Sequence, residues 1–184
     1  MGIVKIKYIN IKDLTEVQKK AVLKLQKECF SDVPKQSIEE DFIAQEFGKI
    51  FAYKDREIIG MLSLFKREIV FADKKIALGG MGGVCVTPTM QRKGAGTLML
   101  KNGLSILKRR KCDIACLNVD LEKRIYDVYE KVGFKMMERE ISFENVKGEI
   151  VKDSGAMFIP INSKDIYDLV MNGNETFHYG RGYW

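Results

Sequence analysis

An apolar, β-rich run that stops at a proline constrains this chain more than any other feature, because a glycine-rich turn and a long amphipathic stretch follow it at once. The run covers 84–86, Pro88 ends it, and two basic residues lead to Gly94-x-Gly96. This order predicts a strand, a tight loop and the start of a helix. A helix N-terminus carries unpaired N–H groups and a partial positive charge, so it binds anions. Glycine also lets backbone approach a ligand closely, and we therefore expect a pyrophosphate site.

Three known phosphate loops can be compared with this segment. A Walker A loop needs a lysine after its last glycine, but Thr97 follows Gly96 here. A dinucleotide-binding loop needs a third glycine, where this chain has Met99. The pattern [Gln/Arg]-x-x-Gly-x-[Gly/Ala] is met by Gln91, Gly94 and Gly96, and it resembles the acetyl-CoA loop of the GNAT N-acetyltransferases. An ordinary strand-to-helix connection is the alternative interpretation.

A second motif strengthens this resemblance. Residues 129–134 read Tyr-Glu-Lys-Val-Gly-Phe, which is similar to the Tyr-Glu-Lys-x-Gly-Phe that closes the core of the same family. The resemblance implies that Tyr129 is the general acid toward the leaving thiolate of CoA, whereas a core aromatic residue is the alternative. It also implies that backbone around the first motif binds acetyl-CoA: strand residues Val84, Cys85 and Val86 at the pantetheine arm, and Gln91, Arg92, Lys93, Gly94, Ala95, Gly96 and Thr97 at the pyrophosphate.

The general base is less clearly indicated. Asp120 ends the strand that follows the crossover helix, and we expect it to act as the base, through water. The cap of the next helix is the alternative role for Asp120. Asp32, in the loop between the first two helices, is a second candidate base, with a solvated turn residue as its alternative interpretation.

A longer resemblance, to the aminoglycoside 2′-N-acetyltransferases, covers nearly the whole chain. It is carried by residues 29–32, 84–86 and 155–160 and by a tail with a tryptophan, Trp184. In that group acidic side chains and the C-terminal carboxylate hold a polycationic aminosugar. The resemblance therefore implies that Asp32, Asp153 and Trp184 contact the acceptor, and that Asp120 contacts the sugar.

Two departures from that group concern the acceptor. Glycines, Gly82 and Gly182, stand where acidic residues are expected. Two missing carboxylates, each worth ~1–3 kcal/mol against a cation, weaken binding of a polycation, and the net charge of +6 acts in the same direction. The glycine run 79–83 is also expected to open the acceptor cleft, with Gly82 and Gly83 as substrate-contacting positions. A larger or less cationic amine is thus expected.

Composition bounds the remaining possibilities. The 184 residues, 46% of them hydrophobic, suit a single domain spanning 1–184. The chain has no apolar run long enough for a membrane span, and residues 1–10 lack the apolar region of a signal peptide. The basic run 108–111 is better explained as a helix end than as a nucleic-acid patch. We expect a small-molecule partner, no nucleic acid and no membrane, and both a monomer and a homodimer stay open.

Cysteine usage points to the cytoplasm. The four cysteines form no Cys-x-x-Cys pair, and the single histidine, His178, cannot complete a zinc site in any usual spacing. We therefore expect buried, reduced thiols and no metal. Cys112 and Cys116 are expected on one side of a strand.

Hydrophobic patterning predicts an α/β (α+β) chain, a mixed and mostly antiparallel sheet flanked by helices, which is the GNAT acyl-CoA N-acyltransferase fold that the resemblance implies. The strand–helix–strand unit 76–119 is expected to be a right-handed parallel crossover. The N-terminal part is expected to form a strand at 4–9, a helix from a cap at Asp13 or Thr15 to about Phe30, and a short helix from Ser37 to about Phe47. Three strands should follow, at 49–53, 58–71 (with a bulge at Gly60) and 76–86, and then a helix at 92–110. The rest is expected to form a strand at 113–119, a helix at 122–132 whose inner face is Ile125, Val128 and Val132, strands at 134–143 and 156–161, a short helix at 163–172 and an irregular tail.

These observations lead to one main hypothesis. The chain is expected to be an acetyl-CoA-dependent N-acetyltransferase that moves an acetyl group to a primary amine of a small molecule by direct attack in a ternary complex, with aminoglycoside 2′-N-acetylation as one form of this activity. The alternatives are a non-catalytic acyl-CoA-binding regulatory module on the same fold and an acetyltransferase for a peptide or polyamine amine.

Overall fold

The computed structural model describes residues 3–123 and 126–184. In the described part of the chain the helices are α1 (Glu16–Cys29), α2 (Lys35–Glu40), α3 (Ala95–Arg109), α4 (Asp127–Glu130) and α5 (Lys164–Asn172), with 3₁₀ turns at Ile11–Asp13, Pro88–Met90 and Leu121–Lys123. The strands are β1 (Lys5–Asn10), β2 (Glu46–Lys54), β3 (Glu57–Phe71), β4 (Lys74–Val86), β5 (Ile114–Asn118), β6 (Lys135–Met136), β7 (Ile141–Glu144), β8 (Ile150–Asp153), β9 (Ala156–Pro160) and β10 (Phe177–Arg181).

The strands form two sheets. The larger has the order β1-β2-β3-β4-β5-β9-β6, and within it β4 and β5 run parallel while the other neighbours run antiparallel. The smaller sheet has the order β10-β7-β8. Helix α3 connects β4 to β5, so the parallel crossover predicted over 76–119 is confirmed. The predicted fold class, a mostly antiparallel mixed sheet with helices packed on it, is confirmed as well.

The β2–β3–β4 meander follows from local turn chemistry. Each hairpin turn holds two consecutive residues in the left-handed region, Asp55 and Arg56 in one and Ala72 and Asp73 in the other, and such turns match the twist of the flanking strands. The β2–β3 register shifts beside Gly60, which agrees with the bulge predicted there. The meander therefore delivers β4 to the centre of the sheet.

Three apolar clusters hold the layers together. Helix α3 packs on one face of the sheet, in a cluster with residues such as Leu64, Met81 and Leu117. On the opposite face, α1 covers one end through Val22 and Leu25. The other end of that face is covered by the smaller sheet and the tail, in a cluster that includes α5. The face opposite α3 is thus shared between α1 and the tail.

Trp184 fills a space that glycines leave on β4. Its ring stacks with Phe65 and with Tyr179, at centroid distances of 5.4 and 5.1 Å, and Arg67 Cζ lies 4.4 Å from its centroid. A Cβ atom on Gly80 would lie 2.8 Å from Trp184 Cζ2, and one on Gly82 would lie 2.8 Å from the Trp184 carbonyl carbon. The prediction that these glycines open a cleft is therefore wrong at Gly80 and Gly82, because Trp184 occupies the room they provide.

Several helices are shorter in the structure than the sequence predicts. Thr15, not Asp13, caps α1, in a capping box with Gln18. Helix α2 begins at Lys35 and ends at Glu40, because the chain must extend again to enter β2 at Glu46. Instead of one helix over 122–132, the structure has a 3₁₀ turn and the four-residue α4. Ile125, predicted on the inner face of that helix, lies outside the described residues.

The C-terminal third differs most from expectation. The strand predicted over 134–143 is split between two sheets, as β6 and β7, and strands β8 and β10 were not predicted. In β10, Phe177 and Tyr179 are buried while His178 between them is exposed, so a strand with regular alternation stands where the sequence predicts an irregular tail. Cys112 and Cys116 pack in different clusters, because Cys112 precedes β5 instead of lying in it, so the prediction of a shared side is wrong.

We predict that Gly80→Ala lowers the free energy of unfolding by about 1–3 kcal/mol, because the new methyl group overpacks the Trp184 ring. Urea unfolding followed by circular dichroism measures this change. Gly96→Ala is the matched control: its Cβ would meet nothing within 4 Å, so we expect a gain of about 0.4–1 kcal/mol. Equal stability of the two variants would contradict the packing of Trp184 on Gly80.

Candidate active site

The loop between β4 and α3 leaves helix N–H groups free. Gly94 caps α3 in the left-handed region (φ 86°) and supplies no side-chain cap. The first intrahelical bond from this turn runs from Leu98 N to Gly94 O, at 3.0 Å, so the N–H groups of 95–97 precede the helical bonding pattern. The helix starts at Ala95 and not at the predicted Arg92, because Arg92 also has a positive φ, 58°, and cannot belong to a right-handed helix.

Side chains of the loop turn back toward the protein, away from the helix end. Gln91 Nε2 donates to Val86 O at 3.0 Å, and Lys93 Nζ donates to Thr89 O at 2.8 Å. A Cβ atom on Gly94 or Gly96 would meet nothing within 4 Å. The residues predicted at the pyrophosphate therefore lie around one open helix N-terminus, with backbone facing the open space.

Strand β4 has a bulge immediately before this loop. Met61 pairs with Cys85 and Ser63 with Gly82, so Gly83 and Val84 lie opposite the single residue Leu62. Gly83 adopts a φ of 56°, in the left-handed region that a bulge of this kind requires. Strand β4 pairs with β5 only from Leu78 to Gly80. Beyond Gly80 the two parallel strands diverge, and the edge of β4 that faces β5 is left open.

Backbone alternation decides which β4 groups face the open edge. Thr87 N donates to Ile59 O at 2.8 Å, so Thr87 and Cys85 bond toward β3, and Val84 and Val86 point the other way. Of the three residues predicted at the pantetheine arm, Val84 and Val86 therefore offer backbone groups to the gap. Cys85 uses its backbone within the sheet and turns its side chain toward α1.

Tyr129 lies in α4 and its ring is buried, with 6% of the residue exposed. It belongs to the same cluster as Leu117 of β5, the strand on the far side of the gap, and Val119, which directly follows that strand. Burial raises the pKa of Tyr129 to about 12, so its hydroxyl keeps its proton at neutral pH. Gly133, with a φ of 110°, lies in the turn after α4, where its N–H donates to Tyr129 O, so the glycine of the second motif has a structural role beside any catalytic one.

Asp32 and Asp120 both form ion pairs with one lysine, Lys123. Lys123 Nζ lies 2.5 Å from Asp32 Oδ2 and 3.8 Å from Asp120 Oδ2. The hydrogen bond to Lys123 holds the pKa of Asp32 below its usual value. Asp120 Oδ1 accepts from Glu122 N at 3.0 Å, which is the capping role left open by the sequence. The structure thus brings these two carboxylates together, over the loops that follow α1 and β5.

Asp153 lies elsewhere, in the smaller sheet. Its Oδ1 accepts from Ser154 N at 2.8 Å, and its Oδ2 accepts from Tyr183 Oη at 2.5 Å. Burial, with the nearby Asp153 charge, raises the pKa of Tyr183. Asp153 therefore secures the tail that carries Trp184. At Gly182 (φ 82°) a Cβ would lie 2.6 Å from Ala44 N, so an acidic side chain would not fit this backbone.

Sequence reasoning missed two polar residues beside the bulge. Lys49 of β2 is buried, and its Nζ donates to Ser63 Oγ of β3 at 2.7 Å. Ser63 Oγ is the nearest heavy atom, at 3.9 Å, to the Cβ that Gly83 lacks, and Gly83 itself is exposed. Lys49 interrupts an apolar strand, and that interruption is the signal that could have been noticed.

Comparison with known proteins agrees with this geometry. A family model described as an acetyltransferase (GNAT) domain matches residues 10–137. A comparison with curated protein sequences gave no significant match. No helix in the described ranges is long and apolar enough to cross a bilayer.

Solved structures share the fold at low identity. The GNAT-family N-acetyltransferase YhbS of Escherichia coli, in complex with CoA, is 13% identical, with a TM-score of 0.60 over 98% of this chain and 89% of its own. Escherichia coli ElaA is 16% identical, with a TM-score of 0.59 over 85% and 97%. The aminoglycoside N-acetyltransferase AAC(6′)-Iy, in complex with CoA, is 17% identical, with a TM-score of 0.57 over 76% and 92%. The chain spans only about a third of the length of other matched structures.

We predict that Lys123→Met raises the pKa of Asp32 toward its usual value, because the hydrogen bond that stabilises the ionised carboxylate is lost. Carboxyl ¹³C NMR titration measures it. Lys35→Met is the matched control, since Lys35 pairs with Glu39 instead and should leave Asp32 unchanged. An unchanged titration of Asp32 in Lys123→Met would contradict the bridge between the two loops.

Proposed function

The chain belongs to the family of GNAT acetyltransferases, and from this premise we propose that it transfers the acetyl group of acetyl-CoA to a primary amine of a small molecule. One observation carries the proposal: an open helix N-terminus lies directly after a strand whose far edge is open. The first suits a pyrophosphate, and the second suits the amide groups of a pantetheine arm. Acetyl-CoA carries both, and it supplies the thioester whose acetyl carbon the amine attacks.

The fit to CoA can be tested on the residues themselves. The space over Gly94 and Gly96 is free of protein atoms within 4 Å of their missing side chains, so two phosphates can approach the N–H groups of 95–97. The backbones of Arg92 and Lys93 border the same space. At the open edge, Val84 and Val86 offer backbone partners, whereas the Val86 carbonyl is shared with Gln91.

The proposed chemistry needs one acid, one base and close positioning of two reactants. Tyr129 is the proposed acid, because a phenol with a raised pKa stays protonated until the sulfur takes its proton. Asp120, acting through water, is the proposed base for the amine proton. Burial raises the pKa of the thiols Cys29 and Cys85, which makes them poor nucleophiles and favours direct attack over an acyl-cysteine.

The proposed acceptor is a small amine of low positive charge. Asp32 and Asp120 share Lys123, and Asp153 is bonded to Tyr183, so a polycation must compete with Lys123 and Tyr183 for these three carboxylates. Gly82 and Gly182 have no room for acidic side chains. An aminoglycoside 2′-amine, as expected from the longer resemblance, would have to displace Lys123. A cytoplasmic location and a homodimer stay predictions.

We predict that Gly96→Glu weakens CoA binding by about 10- to 100-fold, because it adds a negative charge and bulk where phosphates accept charge-assisted hydrogen bonds. Isothermal titration calorimetry with CoA measures the change. Asn102→Glu is the charge-matched control, exposed on the same helix two turns later, and should bind CoA normally. Equal affinities in both variants would show that CoA lies elsewhere.

We predict that Tyr129→Phe lowers kcat by about 10²–10⁴-fold, the usual worth of a general acid, and leaves the Kd for CoA unchanged. Release of CoA thiol during acetylation of an amine measures kcat. Tyr167→Phe, on α5, is the control and should keep full activity. CoA binding without any acetyl transfer by the unaltered chain would instead support the non-catalytic acyl-CoA-binding alternative.

A further inference from the structure

A buried lysine, Lys49, has its side chain on the face of the sheet opposite α3. Lys49 is 5% exposed, and its Nζ donates to Glu46 Oε2 at 2.6 Å and to Ser63 Oγ at 2.7 Å. Burying an ion pair rarely adds stability compared with apolar residues of similar size. The apolar neighbours Ile50 and Phe51 show that this strand can be covered by hydrophobic packing. The pair therefore calls for an explanation other than stability.

Strand register places this pair beside the bulge. Lys49 is the direct partner of Ser63 across β2 and β3, and Ser63 is the direct partner of Gly82 across β3 and β4. The three residues form a row on one face, and the exposed Gly83 comes next along β4. Cys85 and the α1 contacts lie to one side of this row, and Phe65 with Trp184 lies to the other. The row thus leads from Glu46 to the opening over Gly83.

Hydrogen-bond chemistry fixes what Ser63 can offer there. A lysine ammonium group only donates, whereas a serine hydroxyl accepts and also donates one hydrogen. Ser63 Oγ must therefore accept from Lys49, and its own hydrogen remains for a partner on the side of the bulge. Because a cation polarises it, this hydroxyl is a strengthened donor. Such a donor binds a carbonyl or carboxylate oxygen.

We propose that Ser63, backed by Lys49, forms a subsite that binds a carbonyl or carboxylate oxygen next to the amine of the acceptor. This deepens the proposed function and rests on it. The acceptor class is then an amine with an oxygen acceptor close to the reacting nitrogen, as in an amino acid amide or a peptide N-terminus. A polyamine without such an oxygen has no acceptor for the Ser63 hydrogen and gains nothing from this subsite.

The test compares two amines that differ in one group. Phenylalaninamide and phenethylamine share a primary amine and an aromatic ring, but only the first has a carbonyl oxygen. The unaltered chain should prefer phenylalaninamide in kcat/KM and in calorimetric binding to the CoA complex. Ser63→Ala should reduce this preference by about 3- to 10-fold, the worth of a hydrogen bond between neutral groups, through the KM of phenylalaninamide. Ser63→Thr keeps the hydroxyl and should keep the preference.

Two further variants separate this role from a structural one. Lys49→Met alone would leave the Glu46 carboxylate unpaired, so the double variant Glu46→Gln/Lys49→Met removes the ion pair as a unit. It should lose the preference as well. Ser142→Ala is the matched control, a buried serine bonded to His178 in the smaller sheet, and should change neither ratio.

Other results would overturn the proposal. If kcat falls equally for both amines in Ser63→Ala, the hydroxyl serves the thioester oxygen or the fold and not the acceptor. If the unaltered chain binds the two amines equally, or binds neither, the subsite does not exist. CoA affinity, measured on every variant, keeps this outcome apart from failure of the proposed function: normal CoA binding without a preference rejects the subsite alone, whereas absent CoA binding rejects the acetyltransferase proposal itself.

Discussion

The candidate site depends on one break in backbone pairing, the point where β4 loses β5 as a neighbour. Backbone N–H and C=O groups inside a protein are almost always paired, and β4 meets this rule up to Gly80. The bulge at Gly83 then reorients the strand, so that Val84 and Val86 direct their polar groups into a gap. An internal strand edge of this kind is costly unless something pairs with it, and an extended amide-bearing ligand is the partner that fits.

The glycines on β4 and in the tail serve different purposes, although the sequence presents them alike. Gly80 and Gly82 leave room for Trp184, and Gly83 provides the left-handed residue of the bulge. Gly182 allows the tail to pass close to Ala44. Both glycines that replace expected carboxylates are therefore required by backbone and ring packing. The loss of negative charge at the acceptor side follows from the way in which the tail is packed.

How much could be predicted from the sequence depends on the range of the interactions. The loop at 91–97, the cap of α1 and the meander turns are set by neighbours within a few residues. Local patterns predicted the loop and the turns, and they predicted the cap as one of two residues, Asp13 or Thr15. The pair Lys49–Ser63 joins two strands, and the Trp184 sandwich joins β3, β4 and β10. Such contacts depend on register between distant segments, which no local pattern encodes. Strand β10 was missed because nearby glycines concealed its short alternation.

Electrostatics connects these contacts to the choice of acceptor. Exposed ion pairs such as Lys123 with Asp32 are weak and can exchange partners, so they can yield to an incoming charge. In the pair of Lys49 with Glu46 the lysine side chain is only 6% exposed, and separating the pair would leave the ammonium group largely without solvent. The adjustable charges thus lie on the loops, whereas the fixed ion pair lies on β2, and Ser63 of β3 lies between it and Gly82 of β4. An acceptor selected by the Ser63 hydroxyl must bring an oxygen to it, and we expect its amine on the side of the gap where the thioester is expected.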